Sequence, residues 1–275
     1  MEKYVIKTRE DGTEITVRDV QVVLLEMLKD IDAICRKHDI PYWLNGGSAL
    51  GAVRHKGFIP WDDDADIAMM QRDFMRFIEV LKVDLPQDKY IFQCYYTHDK
   101  YNVLIPGMKI RKRNTYIKEV NTLLKNRCDD QNRDSDGVFI DVFVYDYCSR
   151  NRLVDLVFRL VNVAMMPLLI VLDNLGFKAK GLKKIFMQNA LLYGRLHSNS
   201  QYIGFDLTWT FKSPFKPFIF KKEDIFPVQY VPFEDTKLPI ANHPHEFLCI
   251  AIGQDYMQLP DVNKRFAKHT VDVEL

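Results

Sequence analysis

No C-x-x-C pair occurs in this chain. Its five cysteines, Cys35, Cys94, Cys128, Cys148 and Cys249, are odd in number and widely spaced. A secreted disulfide scaffold and a structural zinc site are both disfavoured, and free thiols in a reducing cytoplasm are expected. An excess of charge is missing too: 38 basic side chains against 37 acidic ones leave a formal charge of +1. That balance argues against a nucleic-acid-binding coat, which needs a basic excess, but leaves room for a local phosphate site. There is no repeat and no Gly/Ser linker, so one domain over residues 1–275 is expected, with weak boundary candidates near 150 and 200. The first residues carry no apolar core, so no signal peptide is expected. A spanning helix needs roughly 20 apolar residues. The stretch 160–172 is shorter, lies between Arg159 and Asp173, and contains Pro167. It reads either as a buried helix or as a membrane-surface or partner-docking helix.

What is present suits a folded domain with a large core: 47% of residues are apolar and 27% charged. Val20, Val23, Leu24, Met27, Ile31 and Ile34 recur at helical spacing and predict a helix over 16–38. A strand over 42–44 runs into Gly46-Gly47-Ser48, with Ser48 as the N-cap of a helix over 49–54. Further strands are expected at 64–70, 90–96, 103–110 and 138–144, and a helix at 72–81. Residues 151–197 read as helical with a break near 174–176. Beyond them Trp209, Phe211, Pro214, Phe215, Pro217, Phe218 and Phe220 suggest irregular or short-stranded structure. The fold class is α/β (α+β), a mixed sheet flanked by helices with a helical insertion around 150–200.

The most informative segment is Trp61-Asp62-Asp63-Asp64-Ala65-Asp66-Ile67. Alternate side chains of a strand share a face, so Asp62, Asp64 and Asp66 point one way and Asp63 the other. Three carboxylates on one face repel unless a cation sits between them, and an all-oxygen donor set suits Mg²⁺ or Mn²⁺. Asp141 is a lone acid in the apolar strand Val138-Phe139-Ile140-Asp141-Val142-Phe143 and needs a cation or metal to offset its burial. Upstream, Gly46, Gly47 and Ser48 open a helix, where backbone amides can approach a phosphate. The order Gly-Gly-Ser, Asp-x-Asp, lone strand Asp is the layout of the nucleotidyltransferase fold. The distance from Ser48 leaves the register of the pair ambiguous. Apolar neighbours favour Asp64 and Asp66 as the metal pair, with Asp62 as a possible third member.

Residues 46–67, GGSALGAVRHKGFIPWDDDADI, resemble the signature block of the LicD family. Residues 137–143 are similar to its second block. Phe226-Pro227, Pro232-Phe233-Glu234, Pro239-Ile240 and residues 253–260 are similar to a third, so the resemblance runs from about 20 to 270. It departs at Ala65, where a bulkier aliphatic residue is common, and at 150–200, which matches no block. The resemblance implies a phosphotransferase of surface-glycan decoration. The best-known members move phosphocholine from CDP-choline to sugars of lipopolysaccharide or teichoic acid. Fukutin-type enzymes move ribitol phosphate from CDP-ribitol. It further implies a CDP-linked donor (CDP-choline or a CDP-polyol), a glycan acceptor, free or lipid-linked, and catalysis by Asp64, Asp66 and Asp141.

Phosphoryl-type transfer is mostly positioning and charge neutralisation. Mg²⁺ held by Asp64, Asp66 and Asp141 would bridge the donor's pyrophosphate, and Asp141 is the candidate base for the acceptor hydroxyl. Arg54, Lys56 and Lys109 are candidate phosphate-binding cations, with Lys112 read as surface. Trp61 is open between a stacking platform and a core anchor. Lys264, Arg265 and His269 are candidates for substrate contact, and His243 and His245 read as loop residues. A nucleotidyltransferase acting on an NTP, or a silent binding protein of the same fold, are the alternatives. The expected place is the cytoplasm, including a peripheral position at the inner membrane face. Residues 160–172 would touch lipid there, with Arg150, Arg152 and Arg159 before them and Lys178, Lys180, Lys183 and Lys184 after.

Overall fold

Thr16 starts the first long helix. Its hydroxyl accepts from the Asp19 N–H while the Asp19 carboxylate accepts from the Thr16 N–H at 2.7 Å, a reciprocal cap. Helix α1 (Val17–Lys37) then buries Val20, Leu24, Met27, Leu28, Ile31 and Ile34 along one face, within a residue of the expected bounds. The computed structural model describes residues 4–120, 136–210 and 212–275; the readings placed on Cys128, Phe211 and the first three residues lie outside the described residues. Ahead of α1 stands a hairpin of β1 (Val5–Thr8) and β2 (Glu14–Thr16).

After α1 the order is β3 (Trp43–Leu44), α2 (Gly46–His55), β4 (Asp66–Met70), α3 (Gln71–Asp84), β5 (Tyr90–Cys94), β6 (Met108–Lys112), β7 (Tyr116–Glu119) and β8 (Phe139–Tyr147). Two helices follow, α4 (Arg152–Asn174) and α5 (Lys180–Leu196). Then come β9 (Tyr202–Phe205), β10 (Ile219–Lys221), the short α6 (Lys222–Ile225), β11 (Gln229–Phe233), β12 (Thr236–Ile240), α7 (Pro244–Ala251) and β13 (Thr270–Glu274). The fold is mixed α/β, as the sequence pattern implies.

Strand β8 organises the sheet. It runs parallel to β4, with Asp66 opposite Asp141. Its first half is antiparallel to β6, with Lys109 opposite Asp141. Its last residues pair with β9 instead, and β9 pairs with β10. β3 and β5 complete the sheet beyond β4 and β6. Three adjacent strands therefore place Asp66, Asp141 and Lys109 in one row across the sheet. Beneath the row, Trp43, Ile67, Met69, Ile140, Val142 and Tyr145 are almost wholly buried.

The differences from the sequence reading have local causes. The strand expected at 103–110 is β6 at 108–112, because Asn102 Oδ1 accepts from the Leu104 N–H and turns the chain. Ser48 is not an N-cap: α2 starts at Gly46 with Asn45 in the cap position, and Ser48 Oγ accepts from the Asp66 N–H at 2.9 Å. Helix α4 is longer than the apolar run and is not a core helix. Its buried positions include Asp155, Arg159 and Asn162, while many of its leucines and valines face out. By length and composition alone it is long and apolar enough to cross a membrane. Arg159 and Lys183, counted among the lipid-facing cations, are instead buried and paired with Asp155 (3.0 Å) and Asp173 (2.9 Å).

Asp63 turns away from its acidic neighbours, as alternation requires, and it has a partner. Its carboxylate is 1% exposed. It accepts from the backbone N–H groups of Lys268 (3.1 Å), His269 (3.1 Å) and Thr270 (2.7 Å). That grip holds the chain at the start of β13, which pairs with β7. Asp63→Ala strands these amides. It should cost about 2–3 kcal/mol, because hydrogen bonds to a charged group are worth more than neutral ones and buried donors are left unmet. Urea unfolding with amide exchange at residues 268–270 measures this. A wild-type midpoint in Asp63→Ala would refute the tether.

Candidate active site

The site is built where β3 gives way to α2. The Asn45 N–H donates to the Asp66 carbonyl at 3.0 Å, and the buried Asn45 side chain accepts from the Tyr145 hydroxyl at 3.0 Å. These bonds fix the first turn of α2 against β4 and β8. Gly46 has φ +49°, a left-handed conformation that a side chain would strain. A Cβ on Gly47 would stand 2.7 Å from Asp62 Oδ2, and one on Gly46 would stand 3.2 Å from Asp66 Oδ2. The glycines thus let the amino end of α2, with its partial positive charge, come directly against the carboxylates.

Burial alternates through the acidic segment. Asp62, Asp64 and Asp66 are half-buried and open to the cleft, whereas Asp63, Ala65 and Ile67 are buried. Ala65 is 0% exposed, and its carbonyl accepts from the Asp141 N–H at 3.0 Å, so a small residue fits where a larger one is common. Asp141 joins the cleft from β8. Lys109 Nζ lies 2.9 Å from Asp141 Oδ1 and 3.3 Å from Glu119 Oε2, over the Phe139 ring. Asp141 Oδ1 is nevertheless left without an aligned hydrogen bond. At the rim, His269 Nε2 stands 3.3 Å from Asp64 Oδ2.

Four acids in one cleft hold their protons more tightly than usual. Burial pushes Asp141 up to about 6, against the pull of Lys109. Burial also raises Asp66 well above the usual carboxylate range, and the charges of Asp64, Asp141 and Asp62 add to it. Asp62 is raised well above that range by burial and then by Asp64 and Asp63. Asp64 is raised by burial while His269 pulls the other way. One ligand atom each of Asp62, Asp63 and His269 lie within 4.8 Å of one another, a group that could hold a metal ion. Both Asp63 oxygens already serve backbone amides. The remaining donors are therefore Asp62, Asp64, Asp66 and Asp141, with His269 beside them. Asp141 Oδ1 has Lys109 as an ion-pair partner but no aligned hydrogen bond, and an all-oxygen donor set of this kind suits a hard divalent cation.

Of the residues singled out in the sequence, Gly46, Gly47, Asp62, Asp64, Asp66, Asp141 and Lys109 converge here. Ser48 is 3% exposed and positions Asp66. Arg54 Nη1 donates to the carbonyls of Tyr256 (2.8 Å) and Gln258 (3.0 Å), tying α2 to the segment after α7. The Lys56 side chain is exposed. Trp61 is 7% exposed, edge-on to Tyr4 and His55, with the Arg265 guanidinium 5.4 Å from its ring centre: it is a core anchor. Lys112 pairs with Glu26 and Lys264 with Asp261, both at the surface. His243 pairs with Asp224, and His245 Nδ1 lies 3.1 Å from the Tyr256 hydroxyl. Glu119 was not singled out, while Arg111 is one of the cations that end the strand. Glu119 lies between Lys109 and Arg111, which holds it at 3.1 Å; burial pushes its carboxyl up, but the two cations outweigh it and hold the group below the usual carboxylate range. The signal was two cations at alternate positions of one strand, which need an acid opposite.

Residues 39–146 match the nucleotidyltransferase domain described as LicD/FKTN/FKRP. The lipopolysaccharide cholinephosphotransferase LicD of Haemophilus influenzae is 35% identical over 137 residues, 48% of this chain and 45% of that protein. The human ribitol 5-phosphate transferase FKRP is 40% identical over 50 residues, 18% of this chain and 10% of that protein. An uncharacterized protein of Rickettsia typhi is 45% identical over 58 residues, 21% of this chain and 19% of its own length. The chain spans less than half the length of each of these relatives. The matched stretch opens just ahead of β3 and closes within β8, so the part of the chain that is similar to the LicD/FKTN/FKRP nucleotidyltransferase domain contains every acid of the cleft.

Proposed function

We propose that the chain transfers a substituted phosphate from a CDP-linked donor, CDP-choline or a CDP-polyol, to a hydroxyl of a cell-surface glycan such as lipopolysaccharide, teichoic acid or capsule, and releases CMP. One observation carries the reading. The amino end of α2, opened by Gly46 and Gly47, faces the convergent carboxylates Asp62, Asp64, Asp66 and Asp141. The similarity to a lipopolysaccharide cholinephosphotransferase supports the choice of donor and acceptor classes.

Asp64, Asp66 and Asp141, with Asp62 beside them, would hold Mg²⁺ or Mn²⁺, which supplies neutralisation of the pyrophosphate charge as CMP departs. The amides at the start of α2 bind the phosphate oxygens, and the missing side chains of Gly46 and Gly47 allow that approach. The acceptor oxygen bonds to the distal phosphorus as the bond from that phosphorus to the CMP oxygen breaks. Asp141 takes the hydroxyl proton. Its raised value near 6 leaves it ionised at neutral pH yet basic enough for that task. Lys109 and Glu119 hold Asp141 in place from the sheet side.

Asp66→Asn or Asp64→Asn should lower transfer about a thousandfold, the several kcal/mol that charge neutralisation supplies. The fold should be retained. Release of CMP from CDP-choline is the readout, and wild-type rates in both variants would remove the assignment. Release of pyrophosphate from an NTP, with none of CMP from a CDP-linked donor, would favour nucleotidyl transfer.

A second expectation concerns pH. The cleft acids bind protons more tightly folded than unfolded, so the folded state carries the extra protons between the two values. Their contribution to stability is therefore greatest at low pH and declines as pH rises from about 4 to above 6. In chelator, Asp66→Asn should melt above wild type at pH 8, with the gap closing towards pH 4. Saturating Mg²⁺ should raise the wild type selectively. A constant gap across that range would show that the carboxylates do not repel as described.

A further inference from the structure

The inward side of helix α4 mixes polar and apolar side chains: Asp155, Arg159 and Asn162 are buried along its first half, and Leu169 is buried further on, packed with Met165 and Met166. The side chains it turns away are apolar: Leu153 (73% exposed), Val157, Leu160, Val161, Leu168 and Val171. These recur in steps that keep to one side of a helix, so they form a stripe along its length. On α5, Ile185, Leu192 and Leu196 add further exposed apolar surface. An ordinary surface helix shows the reverse pattern, and an apolar stripe of this extent marks an interaction face.

The polar side of α4 is fully engaged. Asp155 accepts from Arg159 Nε (3.0 Å) and the Tyr193 hydroxyl (2.5 Å). The Asn162 amide donates to the Leu207 carbonyl (2.7 Å) and the Phe186 carbonyl (3.3 Å). Near the far end, Lys183 of α5 joins Asp173 (2.9 Å) to the Tyr101 carbonyl (2.7 Å). These bonds pin α4 to the domain from its first turn to its last. Crossing a bilayer would break buried ion pairs and expose them to hydrocarbon, at a cost of several kcal/mol each. The helix is therefore held parallel to the surface of the domain.

Charge identifies what covers the stripe. Between residues 150 and 197 the acids are Asp155 and Asp173, both turned inward. The exposed charges of the same segment are all cations: Arg150, Arg152, Lys178, Lys180, Lys184 and Arg195. Lys178 and Lys180 share Asp99 of the neighbouring loop, an exposed cluster. An apolar stripe bordered by cations is the composition that lies in the interface of an anionic bilayer. We propose that the α4–α5 hairpin docks in the plane of a membrane carrying anionic lipid, with the α4 stripe in the headgroup–acyl boundary. This face is independent of the donor and acceptor proposed for the cleft.

Sedimentation of the full chain with vesicles tests it, using phosphatidylcholine alone and an equimolar mixture with phosphatidylglycerol. The protein should pellet with the mixture at low salt, stay in solution with phosphatidylcholine, and be released by added salt. Leu160→Ser with Leu168→Ser should abolish pelleting. Arg152→Glu with Lys184→Glu should weaken it at least about tenfold while leaving the stripe intact. Urea midpoints near wild type confirm that the variants are folded. If the serine pair fails to fold, the glutamate pair decides alone. Wild type remaining in the supernatant with the anionic mixture overturns the proposal. So does equal pelleting with both vesicle types, or a wild-type dimer in ultracentrifugation that the serine pair dissociates, which would make a second copy the cover.

Discussion

Repulsion among Asp62, Asp64, Asp66 and Asp141 is the constraint around which the centre of this molecule is arranged. Each raises the proton affinity of a neighbour, and each is partly withdrawn from water. A sheet does not gather like charges unless something gives a return. Here the register of β4, β8 and β6 forces Asp66, Asp141 and Lys109 into one row. Among the described residues one cation, Lys109, lies in that row, and it is shared with Glu119. The imbalance is what a bound cation, or a phosphate brought in with one, would relieve. The glycines at the head of α2 belong to the same arrangement, since side chains there would displace the carboxylates of Asp62 and Asp66.

Asp63 shows how closely the segment is specified. Four acids in five positions cannot all face the cleft, because alternate side chains take opposite sides. The odd one is satisfied by three backbone amides near the far end of the chain. One short segment thus supplies the cleft on one face and closes the C-terminal strand on the other. Gln21 of α1 braces it from a third direction, donating to the carbonyls of Ile59 and Asp62 at 2.9 Å.

Much of this was legible before any coordinates. Alternation assigned Asp63 its side, helical spacing gave α1, and a lone acid in an apolar strand marked Asp141 as needing a partner, which proved to include Lys109. What stayed hidden depended on pairings between distant segments. Ser48 looks like a cap in sequence, because nothing local shows that the Asp66 N–H will reach its hydroxyl. Arg54 looks like a phosphate ligand until α2 is seen against the Tyr256 and Gln258 carbonyls. The run at 160–172 was read by its hydropathy, which reports how apolar a helix is and not which side faces inward. The polar positions 155, 159, 162 and 173 carried that information, since their spacing places them on one side of a helix.

The family match and the hairpin divide along the same line. The matched residues, 39–146, contain the glycines, the acids and Lys109, all set by the register of β4, β6 and β8. The hairpin begins six residues after the match ends, at Arg152, and is held by buried polar side chains facing the domain together with a small apolar cluster around Leu169 and Phe186. The two meet on β8, whose first half carries Asp141 and whose second half carries Asp146, packed where a Cβ on Gly194 of α5 would stand. Asp141 and Asp146 are thus about 17 Å apart along one strand. A rigid strand shared by cleft and hairpin fixes the distance between them. The family model's match ends within β8, so the face that the hairpin presents is read from the hairpin's own side chains and charges.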